Sequence, residues 1–304
     1  MERPTRLLSR ATLPAMPMQP ISVPQAEAQG ASRRGTRSRR LLKEILVVVA
    51  CLIAVTSAIE LAGWDLALSR AFYDPAANPA WWGRERQPLQ FLYDYGTWPA
   101  LAVGIGSLFL LPATWFVRRL RPHRRSFALL ALVLALGPGL VVNTALKDHW
   151  GRPRPRELRE FGGTAAYQGV EDPGTPGKGK AFPSGHASMG FYFVSFYILW
   201  RDDAARRDRA AGRRASARAT AAATARAQVK ARASARARAA LAFGILAGCA
   251  IGLQRIASGG HFLTDVLWAG GIVYLVALLV DFALPATPEL RRRPNPGTAL
   301  ARPR

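Results

Sequence analysis

The apolar residues of this chain gather into long runs nearly free of charge, and that arrangement limits the fold more than any other feature. Soluble cores rarely need such runs, whereas a bilayer requires them. The first, Ile45–Trp64, has 20 residues, about 30 Å of helix at about 1.5 Å per residue, enough to cross the hydrocarbon layer. Others cover Trp98–Val117, Phe127–Leu146, Ser184–Trp200, Ala239–Ile256 and Phe262–Leu284. Backbone polar groups inside a membrane must be paired within the protein, so the expectation is an all-α integral membrane bundle of six transmembrane helices.

Charge sets the orientation. Of the 42 Lys and Arg residues, 31 fall in segments 1–43, 118–125, 201–238 and 285–304, and 11 in the alternate connections. Basic residues are retained on the cytoplasmic side, so both termini are expected there. The same bias accounts for a net charge of +23 without a nucleic-acid partner. The chain then divides into a disordered basic tail over 1–43, a six-span domain over 45–284 and a second cytoplasmic tail over 285–304. The Ala/Arg-rich stretch 203–238 is a cytoplasmic insertion within that domain, read as a solvated, topology-setting segment. The basic cluster before Ile45 precedes a run too long for a cleaved signal, so the first span is retained. Cys51 and Cys249 lie within apolar runs and act as small hydrophobes, with no disulfide or metal site implied.

The outer connection 64–97 is rich in aromatics, among them Trp64, Phe72, Tyr73, Trp81, Trp82, Phe91, Tyr93, Tyr95 and Trp98. That composition suits anchoring at the membrane interface, with a short helix lying on the surface.

Three polar clusters share the non-cytoplasmic side: Lys147-Asp148-His149-Trp150-Gly151-Arg152-Pro153-Arg154-Pro155, Phe182-Pro183-Ser184-Gly185-His186, and Arg255 through Asp265. His261 and Asp265 are four residues apart at the start of a span, on one helical face, where a carboxylate can hold one imidazole nitrogen and leave the other free. The Pro-Ser-Gly turn opens a helix whose first N–H groups lack partners. Lys147, Arg154 and Arg255 add an ammonium and two guanidinium forks, the donors a tetrahedral oxyanion needs. For phosphoryl transfer one histidine would attack and the other protonate the departing oxygen. No Asp/Glu cluster has divalent-metal spacing outside the bilayer, so these cations are expected to neutralise developing charge with no metal or other cofactor. His149 and Arg152 suit local salt-bridge and solvent contacts as well as substrate contact.

Lys147 with Arg154-Pro155, then Pro183-Ser184-Gly185-His186, then Arg255, His261 and Asp265 resemble, in order and spacing, the three-part signature of the type 2 phosphatidic acid phosphatase superfamily. With six spans, the resemblance covers about residues 45 to 284. It implies a phosphoric monoester hydrolase with its active site at the non-cytoplasmic face. His261 would be the nucleophile that forms a phosphohistidine, Asp265 its orienting partner and His186 the leaving-group acid. Lys147, Arg154, Ser184, Gly185 and Arg255 would bind the phosphoryl oxygens. The family usually has Ser where this chain has Gln254. Gly259-Gly260-His261-Phe262-Leu263-Thr264-Asp265, Phe72-Tyr73-Asp74-Pro75 and Tyr93-Asp94-Tyr95-Gly96 are similar to bacterial lipid A phosphatases, which implies a lipid phosphate substrate at a bacterial inner membrane. Undecaprenyl pyrophosphate, phosphatidylglycerol phosphate and phosphatidic acid are rival substrates. A non-enzymatic anion-binding module leaves the outward histidines without a task, and a transporter would place its cations nearer the bilayer midplane.

Overall fold

The computed structural model describes residues 25–201 and 219–285, and every regular element among them is helical. Residues 1–24, 202–218 and 286–304, parts of the two expected tails and of the insertion, lie outside the described residues.

The first helix, α1, runs Gln25–Leu61. Residues 25–43, expected as an irregular tail, are therefore helical, as their Ala, Arg, Gln and Glu content favours. From Glu44 onward the chain forms one compact unit. Two short helices follow, α2 (Trp64–Arg70) and α3 (Gln87–Tyr95), then the long α4 (Trp98–Phe116). Prolines at the first turns of α3 and α4 start these helices where a missing N–H costs nothing.

The third run begins as α5, Arg124–Leu134, and continues as π-helix over Ala135–Leu146. Pro138 lies inside the widened part. Its ring would strike a carbonyl in a regular α-helix, and the wider turn relieves that conflict. Asn143 Nδ2 donates to the Pro138 carbonyl at 2.7 Å and Thr144 Oγ1 to that of Gly139 at 3.2 Å.

The fourth run is not one helix. It starts as α6, Gly185–Phe191, turns at 192–193, and resumes as α7 over 194–201. At the break Tyr192 is buried and its hydroxyl donates to the Leu130 carbonyl at 3.0 Å. The fifth element, α8, extends Ala219–Ala257. It includes residues 219–238 of the Ala/Arg stretch, helical through strong propensity. The last, α9, is Leu263–Ala283.

Among the described residues, five helical stretches are long and apolar enough to cross a membrane: Gly35–Leu61, Gln87–Phe116, Arg121–Leu146, Ala227–Ala257 and Leu263–Ala283. The segment expected to be the fourth of six falls short of that length because of its break. At the opposite end from the polar clusters, Arg125 pairs with Asp281 at 2.6 Å.

The aromatic connection has two faces. Trp81 packs with Leu158, Phe161 and Phe262 in a buried cluster flanked by Phe72, Tyr73 and Tyr167. Trp64, Trp82, Phe91, Tyr95 and Trp98 are exposed, as interfacial anchors would be. The buried half of this connection thus roofs the start of α9.

Candidate active site

Backbone hydrogen bonds tie the three polar clusters together. Ser184 N–H donates to the Asp265 carbonyl at 3.1 Å, Ala181 N–H to the Arg152 carbonyl at 2.9 Å, and Arg156 N–H to the Gly259 carbonyl at 3.1 Å. Segments far apart in sequence are thereby fixed around one point, and that point is His261.

His261 is almost fully buried, 2% exposed. Its Nδ1 lies 2.5 Å from the Ala181 carbonyl oxygen. A carbonyl can only accept, so the proton sits on Nδ1 and Nε2 keeps its lone pair. Asp265 Oδ2 is 3.7 Å from the same Nδ1, beyond hydrogen-bond length. The nitrogen-fixing contact that the sequence pattern gave to the carboxylate is therefore made by the backbone of the loop before Pro183. Burial, then the charges of Arg255 and Lys147, hold the His261 imidazole well below the ordinary histidine range. That shift favours the neutral ring, with the Nε2 lone pair free.

Asp265 has other partners. Oδ2 accepts from Phe262 N–H at 2.7 Å and Oδ1 from Arg152 Nη1 at 2.6 Å. Arg152, fully buried, also donates through Nη2 to Asp65 Oδ2 at 2.9 Å, through Nη1 to Thr264 Oγ1 at 2.8 Å and through Nε to the Gln168 carbonyl at 2.8 Å. Thr264 returns to Asp65 through both its N–H and its hydroxyl. Burial alone would lower the Arg152 pKa, but Asp265 and Asp65 outweigh it and raise it above the usual arginine value. A single guanidinium thus binds α2, the 151–168 loop and α9 into one ion-paired cluster, one cation shared by two carboxylates.

The cations assemble on the other side of His261. A Cβ placed on Gly185 would come 3.2 Å from Lys147 Nζ, so the amine lies against the Pro-Ser-Gly turn. Burial, followed by Arg154 and Arg255, lowers the Lys147 pKa to about 8. The guanidinium of Arg255 occupies the space a Cβ on Gly260 would need, while Gly259 turns at φ +67°, a conformation glycine adopts at no cost. Arg154 Nε and Arg255 Nε are buried with no hydrogen-bond partner among the described residues. Such donors are rarely left unpaired in a folded protein, and an anion would satisfy them. Ser184 caps α6, its Oγ accepting from Ala187 N–H at 3.4 Å.

His186, on the first turn of α6, is half-buried and stacks on Tyr93 of α3, ring centroids 4.8 Å apart and planes at 14°. Arg255 lies over the Tyr93 ring at 4.6 Å. One tyrosine therefore contacts both a candidate acid and a candidate phosphate ligand.

Lys147, Arg154, Ser184, Gly185, His186, Arg255, His261 and Asp265 all meet at this place. The sequence pattern assigns no site role to Asp65, Tyr93 or the Ala181 carbonyl, and it is compatible with two roles for Arg152. Asp65 had a signal, since a lone acid at a span boundary is suspect on the same ground as Asp265. His149 is exposed, with Nδ1 2.9 Å from the Ala145 carbonyl, a contact within its own chain segment.

The chain is similar in sequence to proteins from other organisms. A lipid A 4'-phosphatase of Francisella tularensis subsp. novicida is 28% identical over 238 residues, spanning 78% of this chain and 93% of that protein. Another of that name from Rhizobium leguminosarum is 30% identical over 48% of this chain and 50% of its own length. One from Rhizobium etli is 45% identical over 64 residues, 20% of this chain and 24% of that protein. No solved structure matches significantly. Residues 127–283, more than half the sequence and including all three polar clusters, match the PAP2 superfamily, and the chain belongs to that family.

Proposed function

We propose that this protein is a lipid phosphate phosphatase that removes a phosphomonoester from a lipid A-type glycolipid through a phosphohistidine on His261. The observation that carries this is a neutral histidine with one nitrogen free, faced by Lys147, Arg154 and Arg255 with unpaired guanidinium donors. The names of the relatives support the choice of lipid.

In this reading His261 Nε2 attacks phosphorus while His186 gives a proton to the departing alkoxide. Water, deprotonated by His186, then attacks phosphorus, forming an O–P bond as the Nε2–P bond breaks and returns its electron pair to His261, which releases inorganic phosphate and restores both histidines. Lys147, Arg154, Arg255 and the backbone at Ser184–Gly185 hold the three equatorial oxygens. Asp265 acts from behind by fixing the Phe262 backbone beside His261.

The test is phosphate release by the purified protein in detergent, with chelator present, from lipid A, phosphatidic acid, phosphatidylglycerol phosphate and undecaprenyl pyrophosphate. Lipid A is expected to be the best substrate, unaffected by chelator. Turnover confined to the diphosphate would overturn the substrate assignment.

The Lys147 pKa predicts an alkaline limb. Its ammonium is charged below pH about 8 and neutral above, so kcat/KM should fall as pH rises through that value. Lys147→Arg should move the limb beyond the measurable range, and an unchanged limb would show that another group causes it.

Tyr93→Leu should lower turnover of alkyl phosphates by roughly 10-fold, with a smaller loss on p-nitrophenyl phosphate, whose leaving group needs no acid. Tyr93→Phe, which keeps the stacking face, should stay within about 2-fold of wild type. Equal losses on both substrates would argue against an effect through His186.

We further propose six crossings, the broken 184–201 segment being the fourth, with both termini cytoplasmic and the site on the opposite face. The 31-to-11 distribution of basic residues supports this. In a Cys51→Ala/Cys249→Ala background, an impermeant thiol probe should label Lys178→Cys from outside the membrane and Arg119→Cys only after permeabilisation. The reverse pattern would invert the topology.

A further inference from the structure

Two arginines beside the phosphate pocket remain without a task. Arg156 is held by its own N–H on the Gly259 carbonyl at 3.1 Å, and Arg84 follows Gly83, whose N–H donates to the Ala257 carbonyl at 2.9 Å. Both residues are thus anchored on the short loop, 257–259, that leads into His261. Neighbouring Glu85 is held at φ +62°, a conformation costly for a residue with a side chain, which fixes the path of this turn. Arg84 is exposed and Arg156 half-buried. Neither guanidinium makes a hydrogen bond or ion pair among the described residues. Glu157, whose charge acts on Arg156, is engaged by Arg154, accepting its N–H at 2.8 Å and lying 3.9 Å from its guanidinium. Arg86, by contrast, is committed to Trp82, stacking on its ring and donating to its carbonyl.

We propose that Arg84 and Arg156 form a second anion-binding subsite, separate from the oxygens of the reacting phosphate, that receives another anionic group, a phosphate or a carboxylate. Like charges gathered at one rim repel one another, and an anion relieves that repulsion. Consistent with this crowding, burial and then the charges of Arg154 and Arg84 lower the Arg156 pKa, with Glu157 and Tyr93 offsetting only part. The pair lies next to the loop of the nucleophile, so the group it holds sits on the headgroup being hydrolysed or on the lipid beside it. This rests on the phosphatase reading above and adds a preference for doubly anionic headgroups.

The experiment compares wild type with Arg84→Gln/Arg156→Gln on two glycolipids that differ only in carrying one phosphate or two, in neutral detergent micelles. A third arm gives the monophosphorylated glycolipid in micelles doped with phosphatidylglycerol. The double variant should lose roughly 10- to 100-fold in kcat/KM on the bisphosphorylated lipid, as expected for lost charge-assisted hydrogen bonds, and about 2-fold or less on the other. A loss appearing only with phosphatidylglycerol assigns the subsite to a neighbouring lipid headgroup. Equal losses in all arms, or none in any, overturn the proposal. Binding of the same two glycolipids to His261→Ala protein, with and without the double substitution and read by tryptophan fluorescence, gives the same comparison without turnover. If wild type hydrolyses neither glycolipid, the proposed function fails while this binding comparison still decides the subsite.

Discussion

His261→Ala protein should release phosphate at least ~10⁴-fold more slowly than wild type and accumulate no phosphoenzyme, the scale of loss seen when a covalent nucleophile is removed. The expected cause is loss of the attacking atom, not loss of fold. His261 contributes one hydrogen bond to the Ala181 carbonyl, so the variant should keep a cooperative thermal transition in detergent. Rapid quenching with labelled lipid phosphate separates the possibilities. Wild type should show an acid-labile, base-stable phosphoprotein and the variant none. Residual activity within 10-fold of wild type would remove His261 from the mechanism.

Arg152→Met should be the most destabilising substitution in the protein. It leaves Asp65 and Asp265 as two buried carboxylates without their shared cation, and breaking a buried ionic cluster from one side costs about 3–5 kcal/mol. Arg152→Lys should recover little of this, because one ammonium cannot reproduce bonds that leave Nε, Nη1 and Nη2 in fixed directions. Asp65→Asn should fall between, since the amide fits the space but removes one of two negative charges. The readout is the thermal midpoint in detergent, together with kcat on any protein that remains folded. A midpoint for Arg152→Met within about 2 °C of wild type would mean that the cluster adds nothing net.

The parts of this protein that could be read from sequence are those whose physics is local. A bilayer span needs an unbroken apolar run, so the limits of α4, Trp98–Phe116, and α9, Leu263–Ala283, nearly coincide with the expected ones. Lys147, Arg154, His186, Arg255, His261 and Asp265 were legible because ionisable groups beside spans are costly and need a reason. What escaped depends on long-range meeting. The Arg152–Asp65 bond joins residues 87 apart and the Arg152–Asp265 bond residues 113 apart. Nothing at position 152 alone distinguishes a buried hub from a substrate contact. The Ala181 carbonyl carries no side-chain signature at all, and so the sequence points to the nearest carboxylate for the hydrogen bond that fixes the histidine. The break in the fourth run was hidden because Tyr192 and Phe193 suit a continuous apolar helix. The buried hydrogen bond between Tyr192 and Leu130 exists only in the packed bundle.

The Arg152 cluster also orders events during synthesis. Its three charged members come from positions 65, 152 and 265, near the beginning, middle and end of the described domain. A nascent chain holds Asp65 and Arg152 long before it holds Asp265, and a lone Asp65–Arg152 pair leaves the roof over α9 with nothing to close upon. His261 is made only four residues before the carboxylate that completes the cluster. A chain that stops short of the last helix therefore carries Lys147, Arg154, Arg255 and His261 but lacks the Asp265 carboxylate that closes the cluster. The cluster is complete only when the final helix, which brings Thr264 and Asp265, enters the bundle.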